Sequence, residues 1–209
     1  MINSRSQNDL QAAITALCQG GVIAFPTETT YGLGCDPRNY LAVGRIFAMK
    51  RRDLNKPLLL VAGSWAQVER VAYLSARVRQ VARRYWPGAL TLILPASKGA
   101  GLVAGVVVNG EVAIRYSSSP SVRRLTRSFG FPIVATSANV SGQPASRSAE
   151  EVRAAGLGVD FILDEGMLPI RKPSTVVRVC DDGTINVVRQ GATTIPLNPP
   201  ASRERRGET

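Results

Sequence analysis

Apolar positions recur at helical spacing in some stretches of the chain and form short unbroken runs in others. Leu10, Ile14 and Leu17 make one stripe, which predicts a helix over 8–18, stopped by Gly20-Gly21. The run 22–25 reads as a buried strand closed by Pro26. Val43, Ile46 and Phe47 predict a second helix over 39–50, and 58–62 reads as another buried strand. Helices are predicted near 65–72 and 75–85. In the latter, Val78, Val81, Ala82 and Tyr85 share a face, and Arg77, Arg79, Arg83 and Arg84 decorate the rest. Strands are predicted over 89–94, 111–116 and 133–136. Ser119-Pro120 opens a helix with a cap and a proline at its first position. Ser148 followed by Glu151 predicts a capping box for one more. Strands over 159–163, 175–180 and 184–189 end the series, with Asp182-Gly183 turning the last two into a hairpin.

This alternation predicts an α/β fold with some antiparallel pairing and no internal repeat. One domain is expected over 1–191. Beyond it Pro196, Pro199, Pro200 and the charged stretch 203–209 predict a disordered tail over 192–209.

Composition narrows the chemistry. The 209 residues carry 26 Lys plus Arg against 15 Asp plus Glu, a net charge of +11 that favours an anionic partner such as nucleotide, RNA or acidic lipid. The chain has no histidine, which excludes Ser-His-Asp and Cys-His catalysis and every His-ligated zinc site. Cys18, Cys35 and Cys180 are widely spaced and read as reduced thiols. No apolar run is long enough for a membrane helix and residues 1–11 lack a signal peptide's apolar block, so a soluble cytoplasmic protein is expected, with no membrane partner.

Four places carry candidate chemistry. After the first strand, Thr27, Glu28, Thr29, Thr30 and Tyr31 precede Gly32 and Gly34. This is either a strand-to-helix turn capped by Asp36 or a ligand loop beyond a strand's carboxyl end. Lys50, Arg51 and Arg52 either complement a helix dipole or clamp phosphate. Thr136, Ser137, Asn139, Ser141 and Ser146 crowd hydroxyls and amides into one loop, which is either plain surface or a wrap for phosphate and ribose. Arg115 and Arg189 sit in strand-like runs, facing outward or buried with a partner. Ser174-Thr175 adds two hydroxyls after Pro173. No P-loop and no GxGxxG is present, so ATP, if used, needs another cradle.

Taken together, PTETTYGLGCD at 26–36, Lys50-x-Arg52 with Lys56-Pro57-Leu58, WPGALT at 86–91, VAIR at 112–115, ATSANVSG at 135–142 and PSTVV at 173–177 resemble the YrdC-like family, the threonylcarbamoyl-AMP synthases, in the short single-domain form. The resemblance implies an α/β fold, a twisted open mixed sheet flanked by helices with a basic concave cavity. It implies that L-threonine, bicarbonate or CO₂, and ATP give threonylcarbamoyl-adenylate and pyrophosphate. Mg²⁺ would accompany the ATP, and a downstream transfer complex would pass the group to tRNA. Carried over by position, Lys50 and Arg52 are expected to bind phosphate and act in catalysis. Thr29, Arg115, Thr136 and Ser174 are expected at the threonine. Ser137, Ala138, Asn139, Ser141, Ser146 and Arg189 are expected, with Lys50 and Arg52, at the nucleotide. Glu28 is a magnesium or a structural carboxylate. Many members carry a histidine where this chain has Val61, and another motif where it has 116–119, which bears on the lining of the threonine pocket.

Two other readings compete. One is an RNA-binding or ribosome-maturation factor that uses the basic cavity for double-stranded RNA without turnover. The arginines of 77–84 with Arg123, Arg124 and Arg127 would form its surface. The other is the carbamoyl-transfer domain of hydrogenase-maturation proteins, against which stands the lack of acylphosphatase and zinc-finger-like segments.

Overall fold

The computed structural model describes residues 4–180 and 184–196. Six helices are present among them: α1 Ser4–Cys18, α2 Tyr40–Lys50, α3 Trp65–Val71, α4 Ala76–Tyr85, α5 Pro120–Phe129 and α6 Ala149–Ala154. Each of α2 to α6 starts where a side chain caps it. Asn39, Ser64, Ser75, Ser119 and Ser148 accept from the backbone N–H three residues on. At α6 the cap is one-sided. The Glu151 carboxylate reaches back to the N–H of Arg147 at 2.6 Å, one residue before the cap the sequence pattern selects.

The strands are β1 Ile23–Pro26, β2 Tyr31–Gly34, β3 Leu60–Ala62, β4 Leu90–Pro95, β5 Val107–Val108, β6 Glu111–Tyr116, β7 Ile133–Val134, β8 Thr136–Ser137, β9 Phe161–Ile162, β10 Thr175–Val179 and β11 Ile185–Arg189. They form two mixed sheets rather than the single sheet expected. One runs β8-β2-β1-β9. The other runs β11-β10-β4-β6-β3-β7, with β5 added on β6. Two differences from the predicted elements position the site. Residues 31–34, read as a turn, pair antiparallel with β1, so the turn is only 27–30. The strand expected over 133–136 is split. β7 pairs with β3, β8 pairs with β2, and Ala135 carries the chain from one sheet to the other.

The glycines explain the first difference. A Cβ on Gly34 would meet Phe25 Cε1 at 2.5 Å and the Val134 carbonyl oxygen at 2.7 Å, so this strand is glycine-rich because neighbouring backbone lies against it. The larger core cluster fills the space under the big sheet with Leu60, Leu90, Leu92, Ile114 and Trp86, while α1 and α5 cover Ile23, Phe25, Val61 and Ile133. Of the expected tail, Thr193 and Ile195 are tied to the domain. Thr193 donates from its N–H and hydroxyl to Thr175 Oγ1 and the Ala89 carbonyl, and Ile195 is buried. Residues 197–209, and Asp182-Gly183 of the predicted hairpin turn, lie outside the described residues, although β10 and β11 pair antiparallel as predicted.

Candidate active site

A hollow of about 140 Å³ opens where the two sheets meet. The turn 27–30 forms one wall. Thr27 Oγ1 accepts from the N–H groups of Thr29 and Thr30 and lies 3.0 Å from Thr29 Oγ1, which fixes three hydroxyl-bearing residues at the rim. Thr136 and Ser137 of β8 form the next wall, in register with Leu33 and Gly32. Ser174, just before β10, completes the ring, and its Oγ is 2.9 Å from Thr91 Oγ1.

Three arginines enter this hollow from separate elements. Arg52 follows α2. Arg51 takes a left-handed conformation at φ 47, which ends the helix and turns Arg52 toward the site. Its guanidinium donates to the Lys56 and Pro57 carbonyls at 2.8 and 3.1 Å. Arg115 sits on β6 opposite Val61, and its side chain is 5% exposed. Arg189 ends β11 and donates to the Ser174 carbonyl at 2.8 Å and to Ser174 Oγ at 3.2 Å. Burial pushes the Arg52 and Arg189 guanidiniums down, and Arg189 is lowered further by Arg115 and Arg52. Three like charges held this close in a partly dry hollow make a site for an anion.

Of the expected residues, Thr29, Arg52, Arg115, Thr136, Ser137, Ser174 and Arg189 therefore line one hollow. Lys50 does not. It is 2% exposed, and its Nζ donates to the carbonyls of Ser137 and Asn139 (the latter at 2.7 Å) and to Asn139 Oδ1 at 3.2 Å. Its three N–H donors thus all have protein acceptors. Burial, with Arg52 adding to it, lowers its pKa to about 8. Asn139 and Ser146 line a second cavity beyond β8. Ala138 is buried between the two, its carbonyl accepting from Ser146 Oγ at 2.6 Å, and Ser141 is exposed, its N–H bonded to the Lys50 carbonyl. Val61 is buried in the core with Ile23 and Phe25, beside Arg115 across the β3–β6 pairing, and is not among the residues that line the hollow.

Sequence reasoning passed over two contributors and, for Tyr31, which it had named, missed the partner. Leu59 lines the hollow, Ser117 binds Glu28, and Tyr31 anchors the segment 164–166 through its hydroxyl. Only Ser117 had a signal, as one of three serines before a helix-starting proline.

The whole arrangement has relatives. Residues 15–191 match the Sua5/YciO/YrdC family model, described as "Telomere recombination". The chain belongs to this family. A threonylcarbamoyl-AMP synthase of Idiomarina loihiensis is 37% identical over 80% of this chain and 91% of its own. Among solved family structures, Escherichia coli YciO superposes with a TM-score of 0.79 at 26% identity, covering 92% of this chain and 93% of its own. P. abyssi Sua5 complexed with L-threonine superposes with a TM-score of 0.78 at 34% identity over 87% of this chain; the chain spans about half (54%) of that protein's length.

Proposed function

We infer that this protein is a threonylcarbamoyl-AMP synthase, a nucleotidyltransferase that joins L-threonine, bicarbonate or CO₂, and ATP into threonylcarbamoyl-adenylate and pyrophosphate. The observation that carries the reading is the convergence of Arg52, Arg115 and Arg189 on one hydroxyl-lined hollow, in a family whose curated members bear this activity. The product would serve threonylcarbamoyladenosine modification of tRNA in the cytoplasm, through a downstream transfer complex.

The chemistry asks for cations and donors rather than a strong base. The threonine amine and bicarbonate give a carbamate and water. The carbamate oxygen then attacks the α-phosphorus of ATP, the α–β phosphoanhydride breaks, and pyrophosphate leaves. The protein's part is to hold several anions together and to stabilise charge on the phosphoryl group and the departing pyrophosphate. Arg115 is the natural partner for the amino-acid carboxylate, with Thr29, Thr136 and Ser174 around the side chain. Arg52 and Arg189 face the phosphates, with Ser137 beside them. Asn139 and Ser146, in the adjoining cavity, suit the nucleoside, with Ala138 and Ser141 on the same loop. Lys50 supports that loop from behind. The three arginines are what makes the proposed concave cavity basic.

Among the described residues no cluster of three or more His, Cys, Asp or Glu side chains could hold a metal ion. The carboxylate beside the hollow, Glu28, has one oxygen hydrogen-bonded by Ser117 and the other 3.4 Å from Arg115 Nε. A protein-built magnesium cage does not fit these residues, and magnesium held by the triphosphate itself is the form the site would accept.

The test is pyrophosphate release with ATP, threonine and bicarbonate. Release should require threonine. Arg115→Ala should raise the threonine KM by about tenfold or more, the worth of a charge-assisted bidentate contact. Threonine-independent release, or an unchanged KM, would be decisive against this assignment.

A further inference from the structure

The turn that rims the hollow also carries a buried carboxylate. The Glu28 side chain is 8% exposed and lies behind Arg115, with Oε1 at 3.4 Å from Arg115 Nε. Its other oxygen, Oε2, accepts a 2.6 Å hydrogen bond from Ser117 Oγ, and Ser117 is fully buried two residues beyond Arg115 on the same chain segment. The Glu28 carbonyl accepts from Arg171 Nη1 at 3.4 Å, and the turn around it is held by Thr27. The carboxylate is therefore held at its backbone, by its neighbours and at one oxygen. Among the described residues it is the only carboxylate in ion-pair range of any of the three hollow arginines.

The pair is close yet incomplete. Glu28 Oε1 and Arg115 Nε are both buried and neither has a hydrogen-bond partner. Leaving such groups unpaired carries the desolvation cost of each with no bond to offset it, so an arrangement that keeps them so calls for a reason. A guanidinium offers a carboxylate two edges, one through Nε and one through the two terminal nitrogens. Glu28 stands at the Nε edge, and among the described residues nothing hydrogen-bonds the terminal nitrogens. A tight bidentate pair with Glu28 would neutralise Arg115. A contact at 3.4 Å orients the guanidinium while leaving its charge for a ligand.

We propose that Glu28, tethered by Ser117, is a positioning residue that holds Arg115 by its Nε edge and so presents its terminal nitrogens to the carboxylate of the amino-acid substrate. The inference rests on the synthase reading and assigns no contact between Glu28 and substrate. An amide at this position keeps the acceptor for Ser117 but turns N–H donors toward Arg115 Nε, which swings the guanidinium away.

Initial rates of pyrophosphate release and calorimetric titration with L-threonine and with ATP, on the full chain, test this. Glu28→Gln should raise the threonine KM and Kd by about ten- to a hundredfold, as a displacement of about 1 Å does in positioned sites. The kcat at saturating threonine and the Kd for ATP should stay within about threefold, inside the context dependence of a group that touches neither. Ser117→Ala, which keeps the charge and removes the tether, should move the threonine KM in the same direction by less. Unchanged threonine binding in both variants overturns the proposal. So does an equal loss of threonine binding, ATP binding and kcat, which marks general damage to the hollow. If Glu28→Gln is insoluble, the result with Ser117→Ala decides alone. Failure of the wild-type protein itself to bind threonine would overturn the synthase reading, and the role of Glu28 with it.

Discussion

Lys50 is the residue whose structural position departs furthest from what the motif implies. A Lys-x-Arg pair at a helix end reads as two free cations, and the left-handed turn at Arg51 instead sends one inward and one to the hollow. No local pattern reveals this, because the acceptors that hold Lys50, in Ser137 and Asn139, are almost ninety residues away. Arg115 was more legible: a charge in an apolar strand must be paired or exposed, and Glu28 makes it paired. The buried lysine has a pH signature. Its pKa of about 8 lies below its ordinary 10.5, so between those values the unfolded chain binds the proton and the folded one does not. Stability then rises with pH across that window, by up to about 1.4 kcal/mol per unit, and below it the buried charge is a standing cost. Urea unfolding of wild type and Lys50→Met at pH 7, 8.5 and 10 should show the difference moving in favour of wild type as pH rises, and parallel curves would place the lysine's titration elsewhere. In the same variant ATP binding should weaken, since the carbonyls of Ser137 and Asn139 lose their donor and the loop between the two cavities loosens.

Elements were legible in proportion to how local their determinants are. The six helices among the described residues follow from caps and apolar spacing: the bounds predicted for the first four differ from the observed ones by a few residues at most, and the last two begin where their start signals place them. Of the strands that build the site, β6, β10 and β11 were legible as apolar runs, whereas β2 and β8 were not, because β2 is made of tyrosine, leucine and two glycines, and β8 has two residues whose partner strand is a hundred positions earlier. What makes Gly34 a strand residue is the backbone of β7 pressed against it, and this yields a paired prediction. Gly34→Ala places a methyl against Phe25 and the Val134 carbonyl and should destabilise the protein by about 1–3 kcal/mol, the usual cost of overpacking. Gly44 lies ten residues on, exposed in the middle of α2 with nothing within 4 Å of its added Cβ, and Gly44→Ala should stabilise by about 0.5–1 kcal/mol. Thermal or urea midpoints read both, and the same sign for the two variants would mean that β2 is not packed as described.

At the scale of the whole molecule, the issue is where the charge of +11 acts. Much of it is already answered on the surface. Arg79 pairs with Glu69, Arg124 with Glu165 and Arg178 with Glu111, while Arg38 and Arg70 stack on Phe131. Arg127 donates to the Gly63 carbonyl and Arg123 lies over the Tyr116 ring, so two of the three arginines offered for RNA on α5 are turned to their own protein, and the third is paired with Glu165. In the hollow the balance is reversed, with three guanidiniums and one loosely engaged carboxylate. An anion bound there relieves their mutual repulsion and links β6, β10 and β11 of one sheet to β8 of the other, so binding should appear as stability. At a hundred times its Kd, pyrophosphate or ATP should stabilise the fold by about 2.7 kcal/mol. Arg52→Ala and Arg189→Ala should lose most of that gain, whereas Arg83→Ala, on the exposed face of α4, should keep it. A surface that gathers polyanions by diffuse charge behaves differently: each arginine removed counts alike and the effect fades steeply with salt. Equal losses from Arg83→Ala and Arg189→Ala would therefore move the anion out of the hollow and bring back an RNA-binding surface without turnover.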